Sequence, residues 1–221
     1  MNILITGATG MVGKAILLEA IKEPKIEKIV LLSRTTTGAT NPKVKEVLLK
    51  DFNKIASVKD ELGNLDACFH CMGISAMGLS EAQYKAITFD MTKALADICF
   101  ELNPKMTFNY VSGAGTDSTE KGKVMWARVK GKTENYILSR GFSKSYMFRP
   151  GAILPENGIK SRTALYNFFY FIMWPFFPLL KKMKSVTTTT KIGRAMLNTL
   201  EVNQLPSNFL SNTEINELAK M

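Results

Sequence analysis

Two rhythms of apolar residues alternate along this chain. Short apolar runs at residues 2–6 (NILIT), 28–32 (KIVLL), 44–49, 66–71 (DACFHC), 106–111 and 145–149 have the length and composition of buried strands. Between several of them the apolar positions recur at helical spacing. Residues 11–23 put Val12, Ile16 and Ala20 on one stripe, residues 80–102 put Leu95, Ile98, Cys99 and Leu102 on another, and 123–139 read as a third helix closed by Gly141. Pro24, Asn103-Pro104 and Pro150-Gly151 punctuate these segments. Strands alternating with helices are βαβ units. They predict an α/β fold, a Rossmann-type doubly wound parallel sheet with helices on both faces. After Gly151 the alternation stops: residues 161–184 are aromatic and proline-bearing, and 187–200 and 213–220 read as helices. The expected organisation is a single domain over 1–221, with a core at 1–151 and a small C-terminal lobe at 152–221 over the ligand-binding edge of the sheet.

The sharpest local signal is Thr6-Gly7-Ala8-Thr9-Gly10-Met11-Val12-Gly13, directly after a strand and directly before a helix. Gly7 permits the tight turn, Gly10 lets the backbone approach a pyrophosphate, and Gly13 lets helix and strand pack closely. The helix start, from Thr9 through Met11 and Val12, then offers free N–H groups and a partial positive charge to the phosphates. In this context the loop points to a dinucleotide. The end of the second strand chooses between dinucleotides. An acid there would bind the ribose hydroxyls of NAD, but the residues are Ser33 and Arg34. A hydroxyl and a planar multi-donor cation suit a 2′-phosphate, so NADP(H) is expected over NAD(H).

With these residues in place the chain resembles the atypical short-chain dehydrogenase/reductase superfamily. It is most similar to small NAD(P)H-binding, oxidoreductase-like members and to bacterial relatives often called nucleoside-diphosphate-sugar epimerases. The matching stretches run through most of the chain: TGATGMVG, LLSRT, Asp51-Phe52, CMG at 71–73, YVSGAG from Tyr110, VKGKTE from Val129, FRPGAILP from Phe148, and the closing TEINELAK. The resemblance implies that Asp51 and Phe52 lie near the adenine and that Cys71, Met72 and Gly73 line the cofactor. It implies that Pro150 and Gly151 bring backbone to the nicotinamide, that Ser112 orients substrate, and that Lys130 holds the nicotinamide ribose. One departure falls where the family does its chemistry. The family's Tyr-x-x-x-Lys here reads Trp126-Ala127-Arg128-Val129-Lys130. A phenol beside a lysine exchanges a proton with a carbonyl oxygen; an indole N–H only donates and does not shuttle a proton at neutral pH.

Composition narrows the picture further. The formal charge of +10 is spread along the chain, clustering only at Lys181, Lys182 and Lys184, so a nucleic-acid partner is not expected. Three cysteines and no signal peptide point to a reducing, cytoplasmic compartment. Cys68 and Cys71 lie an odd number of residues apart on a strand, which aims them at opposite faces; with a single histidine, no metal site is expected. Residues 163–180 carry no charge and are flanked by Lys160, Arg162 and the three later lysines. That run reads as an aromatic cap over a substrate pocket, as a peripheral membrane contact through residues 163–184 or, since it is short and broken by Asn167, Pro175 and Pro178, least readily as a membrane span. Two function classes follow. One is an NADPH-dependent oxidoreductase for a small apolar carbonyl substrate, with Trp126 replacing the acid. The other is a non-catalytic NADPH-binding regulator or scaffold for a protein partner. An epimerase is the weaker third reading, because it needs the missing tyrosine and a larger lobe.

Overall fold

The computed structural model describes residues 1–160, 170 and 172–221. Arg162 and the first part of the aromatic run, including Tyr166 and Asn167, lie outside the described residues.

The main sheet has seven strands, β1 (Asn2–Thr6), β2 (Lys28–Ser33), β3 (Val44–Leu48), β4 (Ala67–His70), β5 (Thr107–Val111), β6 (Lys144–Phe148) and β9 (Phe209–Leu210). Their spatial order is β3-β2-β1-β4-β5-β6-β9, and every pairing is parallel. This confirms the doubly wound sheet. The order reverses between β1 and β4, which makes their C-terminal ends the switch-point crevice where open α/β sheets bind ligands.

The strands read as unbroken apolar runs because both faces of the sheet are covered. Ile3, Ile5, Ile29, Leu31 and Phe69 pack on one face against Ile16 and Ala20 of α1 (Met11–Lys22). Leu4, Val30, Leu32, Cys68 and Phe108 pack on the other. That face is covered by Leu95 and Cys99 of α4 (Met91–Leu102) and by Ile137 of α5 (Met125–Ser139). Cys68 and Cys71 accordingly fall on opposite faces. The long helix expected at 80–102 is built of α3 (Glu81–Lys85), one π-helical stretch at Ala86–Asp90, and α4. A reciprocal Ser80–Gln83 capping box starts it. Before β4, a 3-10 turn (Phe52–Val58) runs into the short α2 (Lys59–Leu62).

The chain after Gly151 does not stay apart from this core. β7 (Ala152–Leu154) pairs with β8 (Val186–Thr188), with the short α6 (Phe177–Leu180) between them in sequence. α7 (Thr189–Asn198) lies on α1, where Arg194 and Lys22 both reach the nearly buried Glu19, at 3.2 and 2.9 Å. β9 then extends the main sheet beside β6, and α8 (Asn212–Leu218) closes the chain behind a Ser211–Glu214 capping box. A two-residue strand is too short to leave a periodic trace in sequence, which is why β9 went unexpected.

Candidate functional site at the C-terminal edge of the sheet

The glycine loop meets its geometric demands. Gly7 has φ +72°, and a Cβ placed there would stand 2.6 Å from the carbonyl oxygen of Cys71. A Cβ on Gly13 would strike the Gly7 carbonyl, so the first turn of α1 sits directly on the loop. Gly10 N–H donates to Gly7 O at 2.8 Å and forms the N-cap of α1 without any side-chain acceptor. The start of α1 therefore keeps its donors and partial positive charge for a ligand. Thr9, Met11 and Val12 lie on this turn. Cys71 and Met72, half-buried, face the loop from the end of β4, and Gly73 is exposed with open space where a Cβ would be.

At the end of β2, Arg34 is exposed, whereas Ser33 is buried and donates its hydroxyl to Thr35 O at 2.7 Å. Ser33 thus shapes the turn rather than offering a donor. Asp51 caps the 3-10 turn, accepting from Asn53 N at 3.0 Å. The resemblance placed Phe52 beside an adenine. Its ring is buried in the core with Val47 and Ile55.

The second half of the site lies past β5 and β6. The ladder continues beyond both strands: Ser112 N donates to Phe148 O and Ala114 N to Pro150 O, each at 2.9 Å. This keeps Ser112, Gly113 and Pro150 side by side. On α5, Trp126, Lys130 and Glu134 are four residues apart in turn and share one face. That face addresses the strand ends. Lys130 Nζ donates to the Ser112 carbonyl, lies 5.9 Å from the centre of the Trp126 ring, and would be 3.7 Å from a Cβ on Gly113. Burial pushes the Lys130 ammonium below its ordinary pKa, with the Glu134 charge partly opposing. Trp126 packs with Ile74, Tyr84 and Val129 beside Gly115.

Glu134, wholly buried, was not anticipated, although its helical spacing from Lys130 was there to be read. Ser112 donates its hydroxyl to Glu134 Oε1 at 2.5 Å, and Arg149 Nε donates to the same oxygen at 3.0 Å. Arg149 Nη2 also pairs with Glu134 Oε2, and its guanidinium stacks 4.4 Å from the Phe209 ring centre. Gly151 N donates to Asn212 Oδ1 at 3.1 Å, so α8 holds the Pro150-Gly151 turn from behind.

Next to the glycine loop, His70 is fully buried between Thr6 Oγ1, 2.7 Å from Nδ1, and Thr92 Oγ1, 2.8 Å from Nε2. Thr92 gives its one hydrogen to Thr88 O at 2.6 Å, so Nε2 carries the imidazole proton and Nδ1 accepts from Thr6. Burial lowers the His70 pKa to about 3, and the ring stays neutral.

Residues 3–125, more than half of the chain, match the NAD dependent epimerase/dehydratase family. The "Protein fmp52, mitochondrial" of Emericella nidulans is 29% identical over 69% of this chain and 66% of its own length, so the match spans just under two thirds of that relative. "Protein FMP52, mitochondrial" of Kluyveromyces lactis is 30% identical over 71% of this chain and 69% of its own. These names overturn the expectation of a cytoplasmic protein, which rested on cysteine usage and the reading of the N-terminus. Among solved structures, a Saccharomyces cerevisiae short chain dehydrogenase/reductase superposes with TM-score 0.68 at 14% identity, covering 99% of this chain and 98% of that one. The Bordetella bronchiseptica enzyme WbmH, in complex with NAD+, gives 0.66 at 15% identity over 90% of this chain and 71% of that one. These two likenesses speak for the fold.

Proposed function

This chain belongs to the NAD dependent epimerase/dehydratase family, and on that premise we propose that it binds a nicotinamide dinucleotide, NADP(H) in preference to NAD(H), and acts as an oxidoreductase on a small apolar carbonyl compound with Trp126 in place of the tyrosine. The observation that carries this reading is convergence. The uncapped start of α1, the Cys71–Gly73 turn, Lys130 and the Pro150-Gly151 turn all meet at one edge of the sheet. The donor set fits a dinucleotide: free N–H groups for the pyrophosphate, the exposed Arg34 for a 2′-phosphate, and Lys130 for the nicotinamide ribose.

When bound, the nicotinamide supplies the hydride. What this chain adds is position and a weak proton supply. A carbonyl oxygen that gains a hydride needs a proton, and a well-placed acid contributes roughly 10²–10⁴-fold. Trp126 supplies no phenol for that task. The Ser112 hydrogen already points to Glu134, leaving its oxygen to accept only. Among the described residues at the strand ends, Lys130, whose ammonium burial makes more acidic, is the group left to give a proton. The same two facts, the indole at 126 and the inward-turned Ser112, favour the second reading, a non-catalytic NADPH-binding regulator or scaffold.

Titration with NADPH and NADH at fixed salt tests the binding claim. NADPH is expected to bind more tightly, and Arg34→Ala to lower its affinity by about tenfold while leaving NADH unchanged, the loss expected for one charge-assisted contact. Equal affinities in the wild type refute the preference. Turnover on aldehydes and ketones is expected to be slow, to rise in Trp126→Tyr and to stay low in Trp126→Phe. Rapid wild-type turnover that survives Trp126→Phe would show that another donor carries the proton.

A further inference from the structure

Residues 172–184 are apolar on two faces, and the core uses only one. Tyr170, Met173, Phe177 and Leu180 recur at helical spacing and pack on Leu154 and Val186. The Tyr170 hydroxyl fixes this face by donating to Ile153 O at 3.0 Å. The opposite stripe, Ile172, Phe176 and Leu179, recurs at the same spacing and points outward, and the exposed Met183 follows in the turn after α6. Trp174 joins it and is 71% exposed; Leu179 is 66% exposed. A helical segment that is apolar all round is ordinarily buried all round. Here half of it faces outward, and contiguous exposed apolar surface of this kind marks an interaction site.

The charge around the stripe selects the partner. Residues 161–185 contain no Asp or Glu, while Lys181, Lys182 and Lys184 follow directly on the apolar stretch. Lys181 is held by Glu156 at 2.5 Å. Lys182 and Lys184 are both exposed; among the described residues neither is within ion-pair distance of a carboxylate, though the Lys184 charge helps hold the Glu217 carboxyl below its ordinary range. A second copy docking through this patch would bring the lysines of both copies into one interface, where like charges repel. An anionic lipid surface has no such conflict. It accepts the apolar stripe below the headgroups, takes tryptophan at the boundary, and attracts lysines whose stems lie along the apolar layer. No helix among the described residues is long and apolar enough to cross a membrane.

We propose that the outward stripe of Ile172, Trp174, Phe176, Leu179 and Met183, rimmed by Lys182 and Lys184, docks this protein on an anionic lipid surface. The inference is independent of which dinucleotide the chain binds and of whether it turns over.

The test uses the full chain carrying Trp126→Phe, which leaves Trp174 as the sole tryptophan. Phosphatidylcholine vesicles with and without phosphatidylserine are titrated at low and high salt. Co-sedimentation and Trp174 emission are read together. The expected result is binding only to the serine-lipid vesicles, with a blue shift of Trp174 that salt reverses. Lys182→Gln combined with Lys184→Gln should weaken binding roughly thirtyfold, since each lysine near an anionic surface contributes about fivefold. Leu179→Ser should reduce the blue shift, with far-UV circular dichroism confirming that the variant is folded. An unchanged Trp174 spectrum on serine-lipid vesicles overturns the proposal. So does binding indifferent to lipid charge and salt. Concentration-dependent dimerisation that shifts Trp174 without lipid, and is lost in Leu179→Ser, would identify a second copy as the occupant instead.

Discussion

The ends of β1 and β4 and the ends of β5 and β6 lie along the same edge of the same sheet, yet their buried polar groups are of opposite kinds. Beside the glycine loop, Thr6, His70, Thr92 and the Thr88 carbonyl form a neutral chain in which each inner member both donates and accepts. Beside the Pro150-Gly151 turn, the buried Glu134 is held by Arg149 and Ser112, an ion pair with one hydroxyl attached. A neutral chain puts no fixed charge next to the place where phosphates are expected. A buried carboxylate, by contrast, needs its cation and fixes every donor around it. The Ser112 hydroxyl is committed for that reason, and the chemistry available at that end narrows accordingly.

Three measurements test the contrast, starting with the largest expected effect. Arg149→Met strands Glu134 without its cation, and breaking a buried pair in this way costs about 3–5 kcal/mol. Urea unfolding at neutral pH should show that loss. A cost under about 1 kcal/mol would mean that Glu134 does not depend on Arg149 and that the two networks are less different than they look.

The neutral chain is probed by pH. His70 has a folded pKa lowered from 6.5 to about 3 by burial, so below 6.5 the unfolded chain binds a proton that the folded chain refuses. Its contribution to stability is therefore complete above 6.5 and is lost progressively as the pH falls toward 3. Between that upper value and about pH 5, His70 should account for about 2 kcal/mol, or about 1.4 kcal/mol per pH unit. His70→Gln should flatten that part of the curve relative to the wild type. Two parallel curves would show that the imidazole is protonated in the folded state.

The smallest effect is expected at Ser112. Ser112→Ala removes one hydrogen bond to a charged group while Arg149 stays in place, a loss of about 1.5 kcal/mol. Thermal or urea unfolding measures it. A much larger loss would mean that Ser112, rather than Arg149, is the principal partner of Glu134.

Much of the molecule was legible in the residues alone, and the division has a physical basis. Strand and helix identity follow from the period of the apolar positions, so the βαβ alternation through Phe148 could be read before any fold was known. The glycine loop was equally plain, because the φ of Gly7 and the close approach at Gly13 are local demands on the backbone. Trp126 at the tyrosine position is a covalent fact that no folding changes. Other features depend on what long-range packing brings together, and those only the tertiary structure decided. Thr107–Val111 and Lys144–Phe148 each read as a strand, but only their pairing sets Ser112 beside Phe148 and Arg149, where Glu134 of α5 takes the serine's hydrogen. Phe52 lies in a cluster with Val47 of β3 and Ile55 of the 3-10 turn, which only packing brings together. The aromatic run signalled its hydrophobicity in sequence, but which stripe faces the core and which faces outward was settled by the contacts of Phe177 with Leu154 and Val186. Local geometry is written residue by residue; the partner of a buried polar group, or the free face of an apolar helix, exists only once distant segments have packed.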